Sequence, residues 1–357
     1  MKVDGLELRF LLRATGGTLR GERKNITGIS IDSRTIKKGE VFFALKGENY
    51  DGHSFCKDAV KKGASYLVVE KDAGRFDNVI KVKNTIEALG SLAKMWRRRF
   101  NIKCVAITGT SGKTTTRSII TQLLKRRYNC VESEKNYNNL IGLPLSIFKI
   151  SKKTQVGVFE LATNKKGEIK KLSDIAMPDI AVLTNIGRGH LEFFDFLVKL
   201  KSRLKSEVFS FGIKHTADFT ATDIKIYKNG LSFFVNDWGP FYVPLIGMVN
   251  IYNSLAAITT ASIFGMDSRA IKRALRLLKP ETLRLNRIVY DGVTVYNDSY
   301  NANPDSMAAV LAAVEIEKDK RKIACIGDML ELGRKSAMFH RELGKQLVSQ
   351  GFSIVFL

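Results

Sequence analysis

Short apolar runs alternate along the chain with longer stretches in which apolar residues recur at helical spacing. The runs are rich in Val, Ile and Ala, and they occupy residues 66–69, 104–107, 156–160, 180–183, 323–326 and 354–356. Uninterrupted apolar runs of this length are typical of parallel strands whose two faces are covered by helices. The pattern therefore predicts an α/β chain built on parallel sheets.

One section departs from this alternation. Residues 224–244 mix apolar and polar positions around two turn signals, Lys228-Asn229-Gly230 and Asp237-Trp238-Gly239. Such signals between short alternating segments indicate antiparallel strands joined by tight turns. We predict an antiparallel β insert beside the central parallel sheet.

Shifts in composition near Lys83 and near Lys279-Pro280 suggest three domains. They are a small N-terminal α/β domain, a central parallel-sheet domain that carries the β insert, and a Rossmann-like C-terminal domain. The predicted boundaries are 1–83, 84–282 and 283–357.

The C-terminal domain contains two predicted strands, at residues 322–327 and 352–357, joined by a helix at 339–350. Two strands with a single crossover are too few to enclose a hydrophobic core. We therefore expect this domain to be incomplete.

Composition narrows the class of protein. The 357 residues include 58 Lys and Arg against 35 Asp and Glu, a net charge of +23, and 45% are hydrophobic, which is ample for a packed core. The basic runs at 97–99 and 125–127 end helical patterns, where cations are favourable, and they lack the interleaved aromatics of single-strand binders. We interpret the charge as solvated helix ends or as a surface that steers an anionic small substrate, and do not expect a nucleic-acid partner.

Features of secreted or membrane proteins are missing from the sequence. It has no signal-peptide pattern and no apolar run long enough to span a bilayer. The four cysteines are scattered, without disulfide or metal-type spacing, and are read as reduced thiols: Cys56, Cys104, Cys130 and Cys325. We expect a cytoplasmic protein with no membrane partner.

A phosphate-binding loop is predicted at residues 105–116, where an apolar strand leads through a glycine-containing turn into a helix. Gly109 and Gly112 allow the backbone to turn tightly and to direct N–H groups at phosphate. Lys113 supplies a cation for the terminal phosphates, and the Thr114 hydroxyl can bind Mg²⁺. The loop is shorter than the common form because Ile107 stands where the first glycine would be.

Two further residues follow predicted strands at the edge of the sheet where ligands bind in open α/β folds. Glu160 ends the run 156–160, and its carboxylate suits Mg²⁺; His190 lies in the loop after the run 180–183. Either residue alone could be structural, and the neighbouring phosphate loop is what favours a metal site here.

Together these residues resemble the Mur ligase family, the ATP-dependent amide-forming enzymes of cell-wall precursor synthesis. The resemblance covers about residues 29–344. Its most specific segments are residues 108–115, 136–144, 160–164 with 167–169, 297–304 and 327–333. The last two resemble the branch that joins D-Ala-D-Ala to a UDP-N-acetylmuramoyl-tripeptide.

The resemblance implies a nucleotide site and two Mg²⁺ sites. The implied ATP-binding residues are Gly109, Thr110, Ser111, Gly112, Lys113, Thr114, Thr115, Asn253, Arg284, Asp298 and Asn301. Asn253 would contact adenine, while Arg284, Asp298 and Asn301 would approach from the third domain. The catalytic set would be Lys113, Glu160, His190 and Lys205.

For the metals, the resemblance implies that Thr114 and Glu160 hold one Mg²⁺ and that His190 and Lys205 serve the second. Lys205 would be carbamoylated by CO₂, which converts a cation into an anionic oxygen ligand. Lys199, Lys201 and Lys205 could equally form a solvated basic helix face.

Substrate binding is implied for the N-terminal domain and for the segment that begins at residue 136. The residues are Ser33, Arg34, Asp51, His53, Asn136, Asn138 and Asn139. Arg34 could meet the diphosphate of the UDP-sugar, or could be an ordinary surface arginine. The chain departs from the family pattern at several positions, such as Leu283, where glycine is usual before Arg284. An extra residue between His190 and Lys205 affects the local geometry most directly.

The implied reaction consumes ATP, UDP-N-acetylmuramoyl-tripeptide and D-Ala-D-Ala through an acyl phosphate, and the expected form is a monomer. Three alternatives remain open at this point. They are another amide ligase of the superfamily, such as folylpolyglutamate synthase or cyanophycin synthetase, a non-catalytic nucleotide- and UDP-sugar-binding protein, and a nucleic-acid-binding NTPase.

Overall fold

The computed structural model describes residues 1–47, 50–72, 74–134, 136–163, 165–185, 206–213, 217–317, 320–330 and 332–357. The chain divides into two compact units. The first unit is Met1–Ala106 with Tyr128–Ala181, and the second unit is Ile107–Arg127 with Val182–Leu357. This division does not test the three domain boundaries, which stay a prediction.

The first unit begins with a five-stranded sheet in the order β1-β5-β4-β3-β2. Only β1 pairs antiparallel, with β5, and the other neighbours are parallel. Every residue of β3 and β4 is buried, as the apolar run at 66–69 predicts. The elements are α1 (Leu8–Thr15), β1 (Thr18–Arg20), β2 (Gly28–Ser30), β3 (Glu40–Phe43), α2 (Cys56–Lys61), β4 (Tyr66–Val69) and β5 (Val79–Lys81).

A second group of elements carries the predicted phosphate loop and the strands around it. The four-stranded sheet has the order β7-β8-β6-β9, and β7 and β8 are parallel. In the first unit, α3 packs against α1, α5 and α6 over a core that includes Leu89, Leu92 and Trp96. The elements are α3 (Thr85–Arg98), β6 (Lys103–Thr108), α4 (Lys113–Leu124), β7 (Cys130–Glu132), α5 (Gly142–Ile147), β8 (Val156–Glu160), α6 (Glu168–Ala176) and β9 (Ile180–Leu183).

The second unit contains the predicted antiparallel insert. Strands β11, β12 and β13 pair antiparallel, and the short β10 joins β11 in parallel. The second turn falls at Asn236-Asp237, one residue earlier than predicted, because Asn236 adopts the left-handed conformation (φ 50°) that a two-residue hairpin requires. The strands are β10 (Phe211–Gly212), β11 (Phe219–Tyr227), β12 (Gly230–Val235) and β13 (Trp238–Val243).

After the insert, α7 packs against α4 and buries most of its residues, and α8 contacts both α4 and β13. A β14-β15 hairpin then leads to α9. The elements are α7 (Val249–Ile263), α8 (Ser268–Arg276), β14 (Asn286–Tyr290), β15 (Val293–Asn297) and α9 (Pro304–Val314).

The chain ends with two parallel strands, β16 (Lys322–Cys325) and β17 (Phe352–Phe356), on either side of α10 (Ser336–Ser349). Helices α9 and α10 cover one face of this sheet through Leu311, Leu343 and Leu347. On the other face, Ile323 is 50% exposed. The prediction that these strands are buried on both faces is therefore wrong, because the described helices lie on one side only.

The mixed α/β fold with parallel sheets and an antiparallel insert is confirmed. Among the described residues, no helix combines the length and the apolar character needed to cross a membrane.

Candidate functional site

In the second unit, β6 passes into α4 through residues 109–112. We call these residues, together with Lys113 and Thr114 at the start of α4, the phosphate loop. Gly109 has a φ of 138°, and Gly112, at the helix N-cap, has a φ of 79°. A Cβ on Gly109 would lie 2.2 Å from Thr184 Oγ1, and one on Gly112 would lie 2.4 Å from Asn253 Oδ1. Backbone conformation and lack of space therefore both require glycine at these positions. A helix N-terminus that follows such a turn is suited to binding phosphate.

The Lys113 side chain folds back across this loop. Its ammonium donates to the carbonyl oxygens of Gly109, at 2.8 Å, and Thr110, at 3.2 Å. The cation is therefore held over the loop, where an ammonium group, with its three donors, can exchange a carbonyl for a phosphate oxygen.

Two residues without a predicted role, Thr184 and Asn185, hold the other side of the loop. They directly follow β9, and the Thr184 N–H continues the ladder by donating to Thr108 O at 2.9 Å. The Thr184 hydroxyl donates to Ser111 O at 2.6 Å, and the Asn185 side chain binds the backbone and hydroxyl of Ser111. A polar pair immediately after an apolar strand, at the ligand-binding edge of a sheet, is the sequence signal that could have identified them.

Asn253, the predicted adenine contact, is buried, and both ends of its side chain are bonded within the protein. Its Oδ1 accepts from the Thr116 hydroxyl at 3.2 Å, and its Nδ2 donates to Asn250 Oδ1 at 2.9 Å. Asn250 in turn donates to Ile246 O at 2.7 Å. In this structure Asn253 ties α7 to the first turn of α4, and its predicted adenine contact stays a prediction.

Arg284, predicted to bind ATP, contacts the start of α4, and its role in binding stays a prediction. Its Nη2 donates to Thr114 Oγ1 at 3.3 Å, and its guanidinium stacks 3.8 Å from the centroid of the Tyr300 ring. The flanking Leu283 and Leu285 have φ values of 63° and 47°. Left-handed backbone costs a non-glycine residue about 1–2 kcal/mol, and this cost applies at both positions.

Asp298 supports the same segment. Its Oδ1 accepts from the Leu285 N–H at 2.8 Å. Burial raises the pKa of Asp298, while the Leu285 N–H and the Arg284 charge oppose that rise. Asn301, also predicted near the nucleotide, is exposed.

In the first unit, Glu160 ends β8 with only 2% of its surface exposed. Its Oε1 accepts from Asn138 Nδ2 at 2.9 Å, and its own N–H donates to Ser133 Oγ at 3.1 Å. A buried carboxylate that is fixed by an amide is a suitable hard ligand for Mg²⁺. Asn138, predicted to bind substrate, thus orients the predicted metal ligand.

The two neighbouring asparagines differ from Asn138. Asn139 Oδ1 accepts from the N–H groups of Ile141 and Gly142, at 3.1 and 2.9 Å, and so shapes the turn into α5. Asn136 is exposed.

Arg34 is available at the surface of the first unit. Its side chain is 86% exposed and forms a two-pronged pair with Asp32, at 3.0 Å through Nε and 2.8 Å through Nη2. The Arg34 hydrogen bond lowers the pKa of Asp32. Ser33, between them, is buried.

Asp51 joins the buried His53 to the exposed Lys71 in a hydrogen-bonded polar cluster. His53 Nδ1 lies 2.6 Å from Asp51 Oδ1, and His53 Nε2 accepts from the Glu70 N–H at 3.1 Å. The Lys71 ammonium, 2.5 Å from Asp51 Oδ2, and the His53 donors hold the pKa of Asp51 well below its usual value. Both nitrogens of the His53 ring are thus bonded within the protein, and it shapes the predicted substrate loop from inside.

His190 and Lys205 lie outside the described residues, so their predicted roles as metal ligands stay predictions. Within the ranges that the structure describes, no three His, Cys, Asp or Glu side chains are grouped as a metal site would require.

Models of three protein domains match the sequence. They are the Mur ligase family catalytic domain at residues 25–97, the Mur ligase middle domain at 107–199 and 195–261, and the Mur ligase glutamate ligase domain at 283–357.

Similarity to individual proteins extends over nearly the whole chain. The UDP-N-acetylmuramoyl-tripeptide--D-alanyl-D-alanine ligase of Bacillus subtilis is 31% identical over 97% of this chain and 83% of its own length. The crystal structure of MurF from Acinetobacter baumannii superposes with a TM-score of 0.91 at 29% identity, covering 99% of this chain and 86% of that one. MurF from Thermotoga maritima, solved with ADP, has a TM-score of 0.80 at 27% identity, with coverages of 92% and 87%. The chain therefore belongs to the Mur ligase family, and within it is MurF-like.

Proposed function

We propose that this protein joins D-Ala-D-Ala to a UDP-N-acetylmuramoyl-tripeptide with conversion of ATP to ADP and phosphate, a step of peptidoglycan precursor synthesis. The observation that carries the proposal is the 31% identity, over 97% of the chain, to a ligase that is named for this reaction. The phosphate loop with its folded-back lysine supplies the nucleotide chemistry that such a ligase needs.

The reaction has two steps. A carboxylate oxygen of the tripeptide attacks the γ-phosphorus of ATP, the bond from phosphorus to the ADP oxygen breaks, and an acyl phosphate forms. The D-Ala-D-Ala amine then attacks the acyl carbon, loses a proton and expels phosphate, leaving an amide. The first step brings anions together, so its main requirement is positive charge around the phosphates.

The chain's own residues can supply that charge. The Lys113 ammonium is already held over the phosphate loop, and it would exchange the Gly109 and Thr110 carbonyls for oxygens of the terminal phosphates. Arg284, stacked on Tyr300 and bonded to the Thr114 hydroxyl, is a second fixed cation beside the loop.

We further propose that ATP is used with Mg²⁺, for which the family resemblance implies Thr114 and Glu160 as ligands. The buried Glu160 carboxylate fits this role because Asn138 already orients it. When bound, Mg²⁺ neutralises part of the phosphate charge. His190 and a carbamoylated Lys205 remain the proposed ligands for a second Mg²⁺.

For the UDP-sugar, the exposed Arg34 guanidinium is the proposed diphosphate contact, supported by Ser33 and by the loop that Asp51 and His53 brace. Asn136 and Asn139 are the proposed contacts nearer the peptide. We also propose a monomer that acts in the cytoplasm, where its nucleotide substrates are made.

The test is to measure ADP release with each substrate omitted in turn. The proposal predicts that ADP appears only when tripeptide, D-Ala-D-Ala and ATP are all present, with one ADP for each pentapeptide. ADP release that depends on an oligonucleotide would instead indicate an NTPase. Tight binding of UDP-tripeptide without any turnover would indicate a binding protein.

A further inference from the structure

The phosphate loop is held from one side by two consecutive residues, Thr184 and Asn185, which we call the clasp. The Asn185 side chain forms hydrogen bonds with every polar group of Ser111. Its Oδ1 accepts from the Ser111 N–H at 3.0 Å, and its Nδ2 lies 3.2 Å from the Ser111 carbonyl and 2.9 Å from the Ser111 hydroxyl. A fourth bond runs from the Thr110 N–H to the Asn185 carbonyl at 3.1 Å.

Thr184 completes the clasp from the neighbouring position. Its hydroxyl lies 2.6 Å from the Ser111 carbonyl and 3.3 Å from the Thr108 carbonyl, and only 9% of the residue is exposed. It also occupies the space in which a side chain at Gly109 would have to lie. The bend of the loop and the position of β9 are therefore fitted to each other.

These contacts matter because they fix a segment that is not held by regular secondary structure. Residues 109–112 belong to no helix or strand, and their two glycines have left-handed φ values that are entropically costly to hold. A loop that spends only part of its time in the binding conformation binds its ligand more weakly, in proportion to that fraction.

We propose that Thr184 and Asn185 are positioning residues of the nucleotide site, which act on ATP through the conformation of the phosphate loop. The inference rests on the proposed function only in taking ATP as the ligand of that loop. An asparagine suits the role because one amide carries both a donor and an acceptor, as the N–H and C=O of Ser111 require.

Four variants separate this role from general stability. Asn185→Asp keeps the acceptor for the Ser111 N–H but removes both donors and adds a negative charge, and Asn185→Ala removes all side-chain bonds. Thr184→Val deletes the hydroxyl at nearly constant volume, and Thr184→Ser restores it. Asn129→Ala is the matched control, because Asn129 is an exposed asparagine in the first unit whose described hydrogen bonds are made by its backbone.

The measurement is the dissociation constant of MgADP by calorimetry, alongside that of UDP-N-acetylmuramoyl-tripeptide and the melting temperature without ligand. We expect both Asn185 variants to bind MgADP about tenfold or more weakly than the wild type does. The Asn185→Asp variant should bind it more weakly than Asn185→Ala. Thr184→Val should lower the affinity for MgADP by a smaller factor, and Thr184→Ser should restore that affinity. Affinity for the UDP-tripeptide and the melting temperature should stay close to those of Asn129→Ala.

Unchanged MgADP affinity in both Asn185 variants would contradict the proposed positioning role of the clasp, even if the wild-type chain forms pentapeptide. Equal losses of affinity for both ligands, together with a lower melting temperature, would show that the two residues only stabilise the fold. That result would also contradict the proposal. Pentapeptide formation by the wild type, measured separately, decides the proposed function on its own.

Discussion

At the scale of single residues, the site depends on polar side chains whose hydrogen bonds orient other residues of the site. Asn138 orients Glu160, Asn253 supports the first turn of α4, and Asn185 holds Ser111. Only part of this could be predicted. The phosphate loop can be recognised from residues that are close in sequence, namely Gly109, Gly112 and Lys113. The partners of Ser111, in contrast, lie 73 and 74 residues further along the chain. A contact at that separation becomes visible only when β9 is placed at the end of the loop.

Glu160→Gln separates the charge of this residue from its structural role. A glutamine oxygen can still accept from Asn138, so we expect the melting temperature to stay within about 2 °C, which corresponds to about 1 kcal/mol for a chain of this size. Ligation should fall by at least about a hundredfold, because a neutral amide is a poor Mg²⁺ ligand. Steady-state ligation rates over a range of Mg²⁺ concentrations provide the check.

The matched control is Glu87→Gln on α3, where the carboxylate is 72% exposed. It should retain full activity. A Glu160→Gln enzyme with normal turnover at low Mg²⁺ would remove Glu160 from the metal site.

At the scale of elements, the start of α4 combines two constraints that can be measured separately. Gly112 and Gly167 are both helix N-caps in the left-handed conformation, with φ values of 79° and 87°. A Cβ would lie 2.4 Å from Asn253 at Gly112 but meets nothing within 4 Å at Gly167. A side chain at either position would thus have the same cost of a left-handed backbone, but only at Gly112 would its Cβ also collide with a neighbour.

Gly167→Ala is therefore expected to lower the free energy of unfolding by about 1–2 kcal/mol, the backbone cost alone. Gly112→Ala should lower it further and abolish MgADP binding, because Asn253 and the helix must move apart. Denaturant titrations of both variants, with and without MgADP, measure the difference. Equal destabilisation with intact nucleotide binding would show that the close approach to Asn253 is not required.

A polar cluster around the buried Glu317 links the β11-β12 turn to the β14-β15 hairpin. Glu317 contacts Arg287 and Tyr296, each at 3.2 Å, and Lys228 at 3.5 Å. Burial alone would raise the pKa of Glu317, but these hydrogen bonds and charges outweigh it and the pKa is lowered.

Because the folded-state pKa is the lower one, Glu317 stabilises the fold above its unfolded-state value, and this contribution is lost as pH falls through the folded-state value. The wild type should thus lose stability relative to Glu317→Gln between about pH 5 and pH 3. Melting curves of both proteins across that range test the sign. A constant difference between them would contradict it.

At the scale of the whole molecule, apolar periodicity predicted the α/β class and the antiparallel insert, because both are set by which faces are buried. It did not predict that β16 and β17 would be covered on one face only, since an apolar run looks the same whether one face or two is covered. The substrates follow neither from periodicity nor from the net charge of +23; they rest on the site and on similarity to named ligases.

The central claim is that a peptide carboxylate attacks ATP on this chain. The most direct test uses UDP-N-acetylmuramoyl-tripeptide labelled with ¹⁸O in the terminal carboxylate, together with D-Ala-D-Ala, ATP and Mg²⁺. Mass spectrometry of the phosphate then follows the label. Attack through an acyl phosphate predicts one ¹⁸O in each phosphate released for each pentapeptide formed, and neither product with Lys113→Ala. Phosphate without ¹⁸O, or phosphate release without pentapeptide, would contradict the account.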